Sequence, residues 1–228
     1  MTLMELLVAL SLGASLSAVL MQQFADGMHL QARQSAAQDL QQRLAYTQFL
    51  LRGAIRGSAS PCPAHNSNQF MAGYPALSLL APENAAVDAM TASHVLRVFT
   101  DDCEAPVHWY YIGHGAGDAA TSTGLFRRRQ RSDGTFALAE ELVEGVTAMT
   151  ATAGVYVPSV SPAQTHSNTL SYIEAERVAD WSNAFSVNLA VSVRHMTVAG
   201  EMGGDELAMV FSTALRQTDA PISGRTGP

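Results

Sequence analysis

Residues 1–25 of the chain read MTLMELLVALSLGASLSAVLMQQFA. Glu5 is their only charged side chain, and Leu6–Met21 is an uncharged run dominated by Leu, Val, Ala and Met. A helix needs about 20 apolar residues to span the hydrocarbon core of a bilayer. The segment just reaches that length, so the sequence predicts that residues 1–25 form a membrane-spanning helix.

Two other interpretations of this segment are weaker. A secretory signal peptide has a basic beginning and a small-residue cleavage site, whereas no basic residue precedes Arg33. A buried core helix is disfavoured because the segment is apolar on all its faces.

Glu5 is the unusual residue of the segment. A carboxylate inside a spanning helix costs several kcal/mol unless it is paired or neutralised. The helix cannot easily fold its own N-terminus back onto residue 5, whereas the N-terminal amine of another copy can reach it. We therefore expect Glu5 to have a functional role.

The helical pattern continues beyond the apolar segment. Apolar residues spaced three, four or seven apart lie on one helical face, namely Leu30, Ala37, Leu40, Leu44, Leu51 and Ala54, with Arg33 and Thr47 on the same stripe. No proline precedes Pro61, and Gly53, Gly57, Ser58 and Pro61 signal the end. We predict one helix from Thr2 to Arg56, on the order of 80 Å long at 1.5 Å per residue.

The rest of the chain follows β patterns. Residues 58–93 are predicted to form a long connection with a short helix near Glu83–Met90. Strands are predicted from composition and alternation at His94–Thr100, Val107–Ile112, Gly124–Arg131, Thr135–Ala139, Leu142–Val157, Phe185–Val193 and Leu207–Leu215. Asp133-Gly134 predicts a hairpin turn, and Ser171-x-x-Glu174 predicts a helical turn from its capping-box spacing. The fold class is therefore α+β, with the long N-terminal helix packed on a C-terminal antiparallel β-sheet domain.

Composition excludes several classes of function. The chain has 228 residues with 13 basic and 20 acidic side chains, a net charge of −7. Proteins that bind nucleic acid through bulk charge are normally basic, so we expect no such partner. Every basic residue is Arg, so no lysine nucleophile is available. No G-x-S-x-G, H-E-x-x-H or cysteine–histidine nucleophile pattern occurs, and we expect no enzyme activity, no catalytic residue and no cofactor.

Four local features of the sequence are candidate binding sites. Arg127, Arg128, Arg129 and Arg131 form the one dense positive run and are candidates for contacting phosphates or a partner's carboxylates, although alternate residues of a strand point to opposite faces. Asp101, Asp102 and Glu104 match no calcium-loop spacing, so a solvated acidic turn is favoured. His108 and His114 lack further ligands at a recognisable spacing, and Gly113–Asp118 lacks the remaining residues of a P-loop. We expect no metal site.

Residues 2–10, Thr2-Leu3-Met4-Glu5-Leu6-Leu7-Val8-Ala9-Leu10, resemble the mature N-terminus of a type IV pilin or type II secretion pseudopilin. The resemblance implies that a prepilin peptidase cuts a short leader before Met1 and that the new N-terminus is methylated. It also implies that Glu5 pairs with the amine of a neighbouring subunit during assembly, and that the chain sits just below the tip subunit.

Later stretches resemble the PilW family of minor pilins. They are Glu141–Val146, Trp181-Ser182-Asn183 followed by Val187–Arg194, and Phe211–Arg216. These motifs are shared in part with the J-type pseudopilin of type II secretion. The resemblance implies a type IV pilin-like fold and a minor pilin that primes a type IV pilus or sits near its tip. A J-type minor pseudopilin is the alternative, and an adhesin held by a simple signal anchor is a third, which does not explain Glu5.

The resemblance also predicts organisation, location and partners. Residues 1–27 are the transmembrane and assembly half of the helix, residues 28–57 pack on the globular domain, and residues 58–228 form a periplasmic β-rich domain. The protein is expected in the inner membrane, as a single-pass protein, and in extracellular pili. Its expected partners are other minor pilins, the major pilin, the prepilin peptidase and the inner-membrane assembly platform.

Two cysteines, Cys62 and Cys103, are too few for a disulfide scaffold. In a cytosolic chain they would remain free thiols, whereas an exported chain would join them. Because the resemblance places them in the oxidising periplasm, we predict a Cys62–Cys103 disulfide.

Overall fold

The structure is a computed structural model. It describes residues 3–58, 77–90, 93–100, 102, 104–115, 122–158, 168–178, 181, 184–196 and 202–215. The chain divides into two compact units, Met1–Gln41 and Gln42–Pro228. The fold is α+β, with one long N-terminal helix and two antiparallel sheets.

Helix α1 runs over Leu3–Arg56, which confirms the predicted helix. Its end is satisfied by local bonds: the Gly57 N–H donates to the Gly53 carbonyl at 2.8 Å, and the Ser58 hydroxyl donates to the Ile55 carbonyl at 2.7 Å. Arg56 lies in the last turn, where its charge complements the negative end of the helix dipole.

The prediction of a membrane span is not supported. Within the part of the chain that the structure describes, no helix is both long enough and apolar enough to cross a membrane.

In the second unit, α1 buries the side chains of Leu44, Thr47, Leu51 and Ile55, spaced at helical intervals. The Arg43 guanidinium donates to the Glu144 carbonyl at 3.0 Å. Arg52 lies 5.6 Å from the ring centroid of Phe211. These contacts join the end of the helix to both sheets, since Glu144 and Phe211 belong to different ones.

The first sheet is a five-stranded meander. Its strands are β1 Leu77–Leu80, β2 Val95–Phe99, β3 Val107–His114, β4 Thr123–Gln130 and β5 Glu140–Glu144, in the spatial order β1-β2-β3-β4-β5. Strands β2, β3 and β4 confirm predictions. The second arm of the predicted hairpin is not a strand. Residues 135–139 contact the end of β4 through the bridge between Phe136 and Gln130 and through the Ala137 N–H, which donates to the Arg129 carbonyl at 2.8 Å, whereas the strand that pairs with the first half of β4 is β5.

The connection before β2 differs from the prediction. Strand β1 was missed, because four residues buried on both faces show no alternation. The helix expected at Glu83–Met90 is wrong: a single 3₁₀ turn covers Pro82–Asn84, and the rest is irregular. There the Met90 N–H donates to the Ile112 carbonyl at 2.8 Å, which fastens the connection to β3.

The second sheet contains β6 Val146–Pro158, β7 Asn168–Glu174, β8 Ala184–Met196 and β9 Met202–Ala214, in the order β7-β6-β8-β9. Strands β8 and β9 confirm the two alternating patterns. The helical turn predicted from Ser171 and Glu174 is wrong, because both residues lie in β7. The pairing of β7 with β6 overrides the local capping signal. A 3₁₀ turn follows the strand and covers Ala175–Arg177.

Gly145 separates the two sheets. The sequence predicted one strand over Leu142–Val157, but the chain leaves the first sheet after β5 and enters the second at β6. Gly145 has a φ of 80°, which residues with a Cβ rarely adopt. Its N–H donates to Thr123 of the first sheet at 2.7 Å, and its carbonyl accepts from Arg194 of the second at 2.8 Å.

Each sheet carries buried apolar side chains. One face of the first sheet contributes a cluster containing Val95, Phe99, Val107, Trp109, Tyr111 and Phe126, which Val87 and Phe136 cover. The other face buries Leu96, Val98, Ile112 and Leu125. On the second sheet, alternation along β8 buries Val187, Leu189, Val191 and Val193, so the opposite face, with Asn188, Ala190 and Ser192, points outward.

Candidate functional site

The N-terminal part of α1 presents apolar side chains in all directions. Thirteen large apolar residues between positions 3 and 30 are at least half exposed: Leu3, Met4, Leu7, Val8, Leu10, Leu12, Leu16, Val19, Leu20, Met21, Phe24, Met28 and Leu30. We call them the apolar helix surface. A monomeric soluble protein rarely exposes so much contiguous apolar area, which marks an interaction surface.

Serines within this region do not make the helix surface more polar. The Ser11 hydroxyl donates to the Val8 carbonyl at 2.9 Å, and the Ser15 hydroxyl donates to the Ser11 carbonyl at 2.6 Å. Because both hydroxyls bond back to their own helix, they need no water. The region can therefore be covered by apolar side chains without leaving these hydroxyls unpaired.

The residues predicted to act in assembly are only partly described. Glu5 lies in α1, near its beginning at Leu3, but its side chain is outside the described part of the structure. Met1 is also outside it, as are Cys62 and Cys103. The disulfide and the pairing of Glu5 therefore stay predictions.

The arginine run is divided by the geometry of β4. Arg127 and Arg129 share one face of the strand, and Arg128 lies on the other. Arg127 Nη2 is 2.6 Å from Glu140 Oε2 on β5. Arg128 lies 4.8 Å from the ring centroid of Phe136 and donates to the Ala137 carbonyl at 3.1 Å. These two side chains therefore have internal partners instead of forming one basic surface.

The remaining two arginines are exposed. Arg131 follows β4, and its guanidinium donates to the Thr135 hydroxyl at 3.4 Å across the turn. In this turn Asp133 accepts from the Thr135 N–H at 2.8 Å, and Gly134 has a φ of 85°. Arg129 opposes His108 on β3. The four guanidinium groups therefore lie in four different local environments.

His108 lies between the arginines of β4 and the neighbouring β2. Burial lowers the pKa of His108 from its usual value, the charges of Arg127 and Arg129 lower it further, and Asp102 opposes them. Its Nε2 is buried without a hydrogen-bond partner in the described structure. The surroundings therefore favour the neutral ring.

The acidic turn after β2 is stabilised by hydrogen bonds from its own backbone to the Asp102 side chain. Asp102 Oδ1 accepts from the Glu104 N–H at 3.0 Å and from the Ala105 N–H at 3.4 Å. Asp101 lies outside the described residues. Across the described ranges, no three His, Cys, Asp or Glu side chains come together in a way that could hold a metal ion.

Comparison with known families decides which class of protein this is. The family model of type IV pilus-assembly protein W, PilW, matches residues 109–223. The chain belongs to the PilW family. The match begins in β3 and takes in every later strand of both sheets. No curated protein and no solved structure gives a match.

Membership in the PilW family makes the chain a type IV pilus assembly-related protein, and its partners are other components of that assembly. This confirms the resemblance seen in the later motifs. No comparison supports the alternative of a J-type pseudopilin.

Sequence reasoning missed several residues that organise this domain. Glu140, the partner of Arg127, lies 13 residues further along the chain, and no local pattern links the two. Gly145 falls inside the strand predicted over Leu142–Val157. His94 begins the strand predicted over His94–Thr100, whereas its ring accepts a hydrogen bond from Ala151, 57 positions away. Gly145, a glycine inside a long β pattern, is the local signal that could have predicted the break between the two sheets.

Proposed function

We propose that this PilW-family chain is a minor pilin, a structural subunit without enzymatic activity that primes assembly of a type IV pilus or sits near its tip. The observation that carries the proposal is the apolar helix surface, attached to a β-rich domain of the PilW family. In the proposed pilin-like arrangement, the corresponding helices of neighbouring subunits cover this surface.

The energetics support packing among subunits. Burying a large apolar side chain contributes about 1.5–3 kcal/mol when it is fully exposed beforehand. The thirteen residues of the apolar helix surface are already partly covered by their own helix. Burying the rest of each side chain therefore contributes about 1 kcal/mol. Their sum is comparable with the roughly 4–15 kcal/mol that association costs in lost freedom.

Glu5 supplies direction and register in this proposal. A carboxylate among apolar side chains is costly unless a positive charge joins it, and the N-terminal amine of a neighbouring subunit carries the complementary charge. Pairing of the two removes both penalties and sets the axial position of one helix against the next. The apolar contacts alone are non-directional and would not fix this position.

The test is to replace Glu5 with Ala in the full chain and compare cell-associated protein with protein in sheared pili. We expect normal cell-associated amounts but loss from the pilus fraction. Asp26→Ala is the matched control, because it removes a carboxylate from an exposed position of the same helix and should enter pili normally. Normal recovery of Glu5→Ala in pili, with normal piliation, would contradict the proposal.

A further inference from the structure

A cleft on the outer face of the second sheet has no role in the function described above. Strand β7 pairs with β6 only from Thr152 onward, so the edge of β6 before that point is open to other partners. Ser93 and His94 occupy it: the His94 N–H donates to the Met149 carbonyl at 2.8 Å, and the Ala151 N–H donates to His94 Nδ1 at 2.9 Å.

The cleft forms where the pairing of β7 with β6 ends and Ser93 and His94 take its place along the edge of β6. After Glu174 the chain leaves the sheet in the 3₁₀ turn Ala175–Arg177 and stands beside the His94 ring. The cleft is open to solvent and has a volume of about 500 Å³, within the range of sites that hold small ligands. Its lining consists of His94, Thr150, Ala151, Thr152, Glu174, Glu176, Asn188, Ala190 and Val210.

The wall of the cleft is acidic. Glu176 Oε1 is 3.4 Å from His94 Nε2, and Glu174 Oε2 is 3.1 Å from Nε of Arg177, which is not part of the lining. Because Nδ1 of His94 accepts the Ala151 N–H, a single ring proton lies on Nε2 and faces Glu176. The lining therefore offers two carboxylates, both more than half exposed, and no arginine.

The floor of the cleft combines small apolar groups with neutral hydrogen-bonding groups. Ala190 and Val210 provide apolar surface, and Val210 is 71% exposed. Thr150 and Thr152 contribute hydroxyls, and Asn188 hydrogen-bonds to Ser212 next to the cleft. Arg194, which lies on the same face of β8, is paired with Glu206 at 2.8 Å.

We propose that this cleft binds a basic side chain, Arg or Lys, presented by a short extended segment of a partner subunit. The methylene stem lies on Ala190 and Val210, and the cationic head reaches Glu174 and Glu176, with the Thr hydroxyls taking its remaining N–H groups. An anionic group is repelled by both carboxylates, and a purely apolar one would strip their water without compensation. The inference rests on the proposed function only in that the partner is another subunit of the assembly.

The test titrates the full-length protein, in detergent, with acetyl-Gly-Arg-Gly-amide while following the backbone amide NMR signals of Ala151 and Thr152. The same peptide with citrulline in place of arginine keeps the shape and removes the charge. We expect saturable shifts with the arginine peptide, and at least tenfold weaker binding of the citrulline peptide. Equal binding of the two peptides, or no shift with either, would overturn the assignment.

Variants locate the binding in the cleft. Glu176→Gln keeps the size of the side chain and should weaken the arginine peptide about tenfold, as expected for losing a charge-assisted hydrogen bond. Glu83→Gln, an exposed carboxylate beside β1, is the control and should bind like the wild type. Equal weakening by both variants would show general charge attraction and refute the site. The Glu5→Ala experiment is independent, so a failure here leaves the proposed function standing.

Discussion

Replacing Gly145 with Ala should destabilise the protein more than an ordinary glycine substitution, because Gly145 joins the two sheets. A residue with a Cβ at its φ of 80° pays about 1–2 kcal/mol. If the added Cβ also shifts the backbone so that the hydrogen bonds to Thr123 and from Arg194 are lost, their loss adds about 0.5–1.5 kcal/mol each to the remaining strain. We therefore expect a total loss of about 2–5 kcal/mol in the free energy of unfolding.

Gly134→Ala is the matched control for this prediction. Gly134 has a similar φ of 85°, and a Cβ added there meets no atom within 4 Å. It lies in an exposed turn, so Gly134→Ala should cost only the backbone strain, about 1–2 kcal/mol.

The measurement is guanidinium unfolding of the full-length variants, together with hydrogen exchange at the amides of Gly145 and Arg194. We expect these two amides to exchange faster in Gly145→Ala only. If Gly145→Ala costs no more than Gly134→Ala and leaves that exchange unchanged, Gly145 does not hold the sheets together.

Three further predictions concern the core, pH and the cysteines. Leu51→Ala, at a fully buried helix position, should lower the free energy of unfolding by about 2–5 kcal/mol in chemical denaturation. Phe49→Ala, at a position that is 71% exposed, should lower it by under about 1 kcal/mol. Similar losses in the two variants would argue against the buried helix face. Because the pKa of His108 is lowered on folding, its stabilising contribution is complete above about pH 6.5 and is lost as pH falls through the folded value. We expect the stability lost between pH 7.5 and pH 5.0, measured by thermal melting, to be smaller in His108→Gln than in the wild type. The two losses should differ by under about 1 kcal/mol, because solvent screens a half-exposed ring. Equal losses would refute this. Thiol labelling of the native exported protein should modify neither Cys62 nor Cys103 before reduction, and reduction should cost about 4 kcal/mol for a loop of roughly 40 residues; two reactive thiols would contradict it.

The elements that sequence predicted well are those whose patterns are long. The helix Leu3–Arg56 has no proline, and the alternation along β8 and β9 extends over most of two 13-residue strands. Strand β1, four residues buried on both faces, has no period to detect. Ser171 and Glu174 carried a genuine local helix signal that strand pairing overrides.

The surface features depend on distant residues, and sequence therefore predicted them less well. Alternation along β4 correctly predicted that the arginine run would divide between two faces. The partners of those arginines, Glu140 and Phe136, follow from the register of β5 and from the turn. The cleft depends on His94 reaching Ala151, a contact that no local pattern encodes.

The order of strands in the two sheets has a consequence for how the chain acquires its structure. Every pair in the first sheet joins strands that follow one another in sequence, so each pairing closes a short loop. In the second sheet β6 must pair with β8 across the intervening β7, bringing together residues such as Val146 and Val193. Loop closure costs more as the loop lengthens, and non-local pairing is slow. We therefore expect the meander to form early and the second sheet to close last, after β8 has been synthesised.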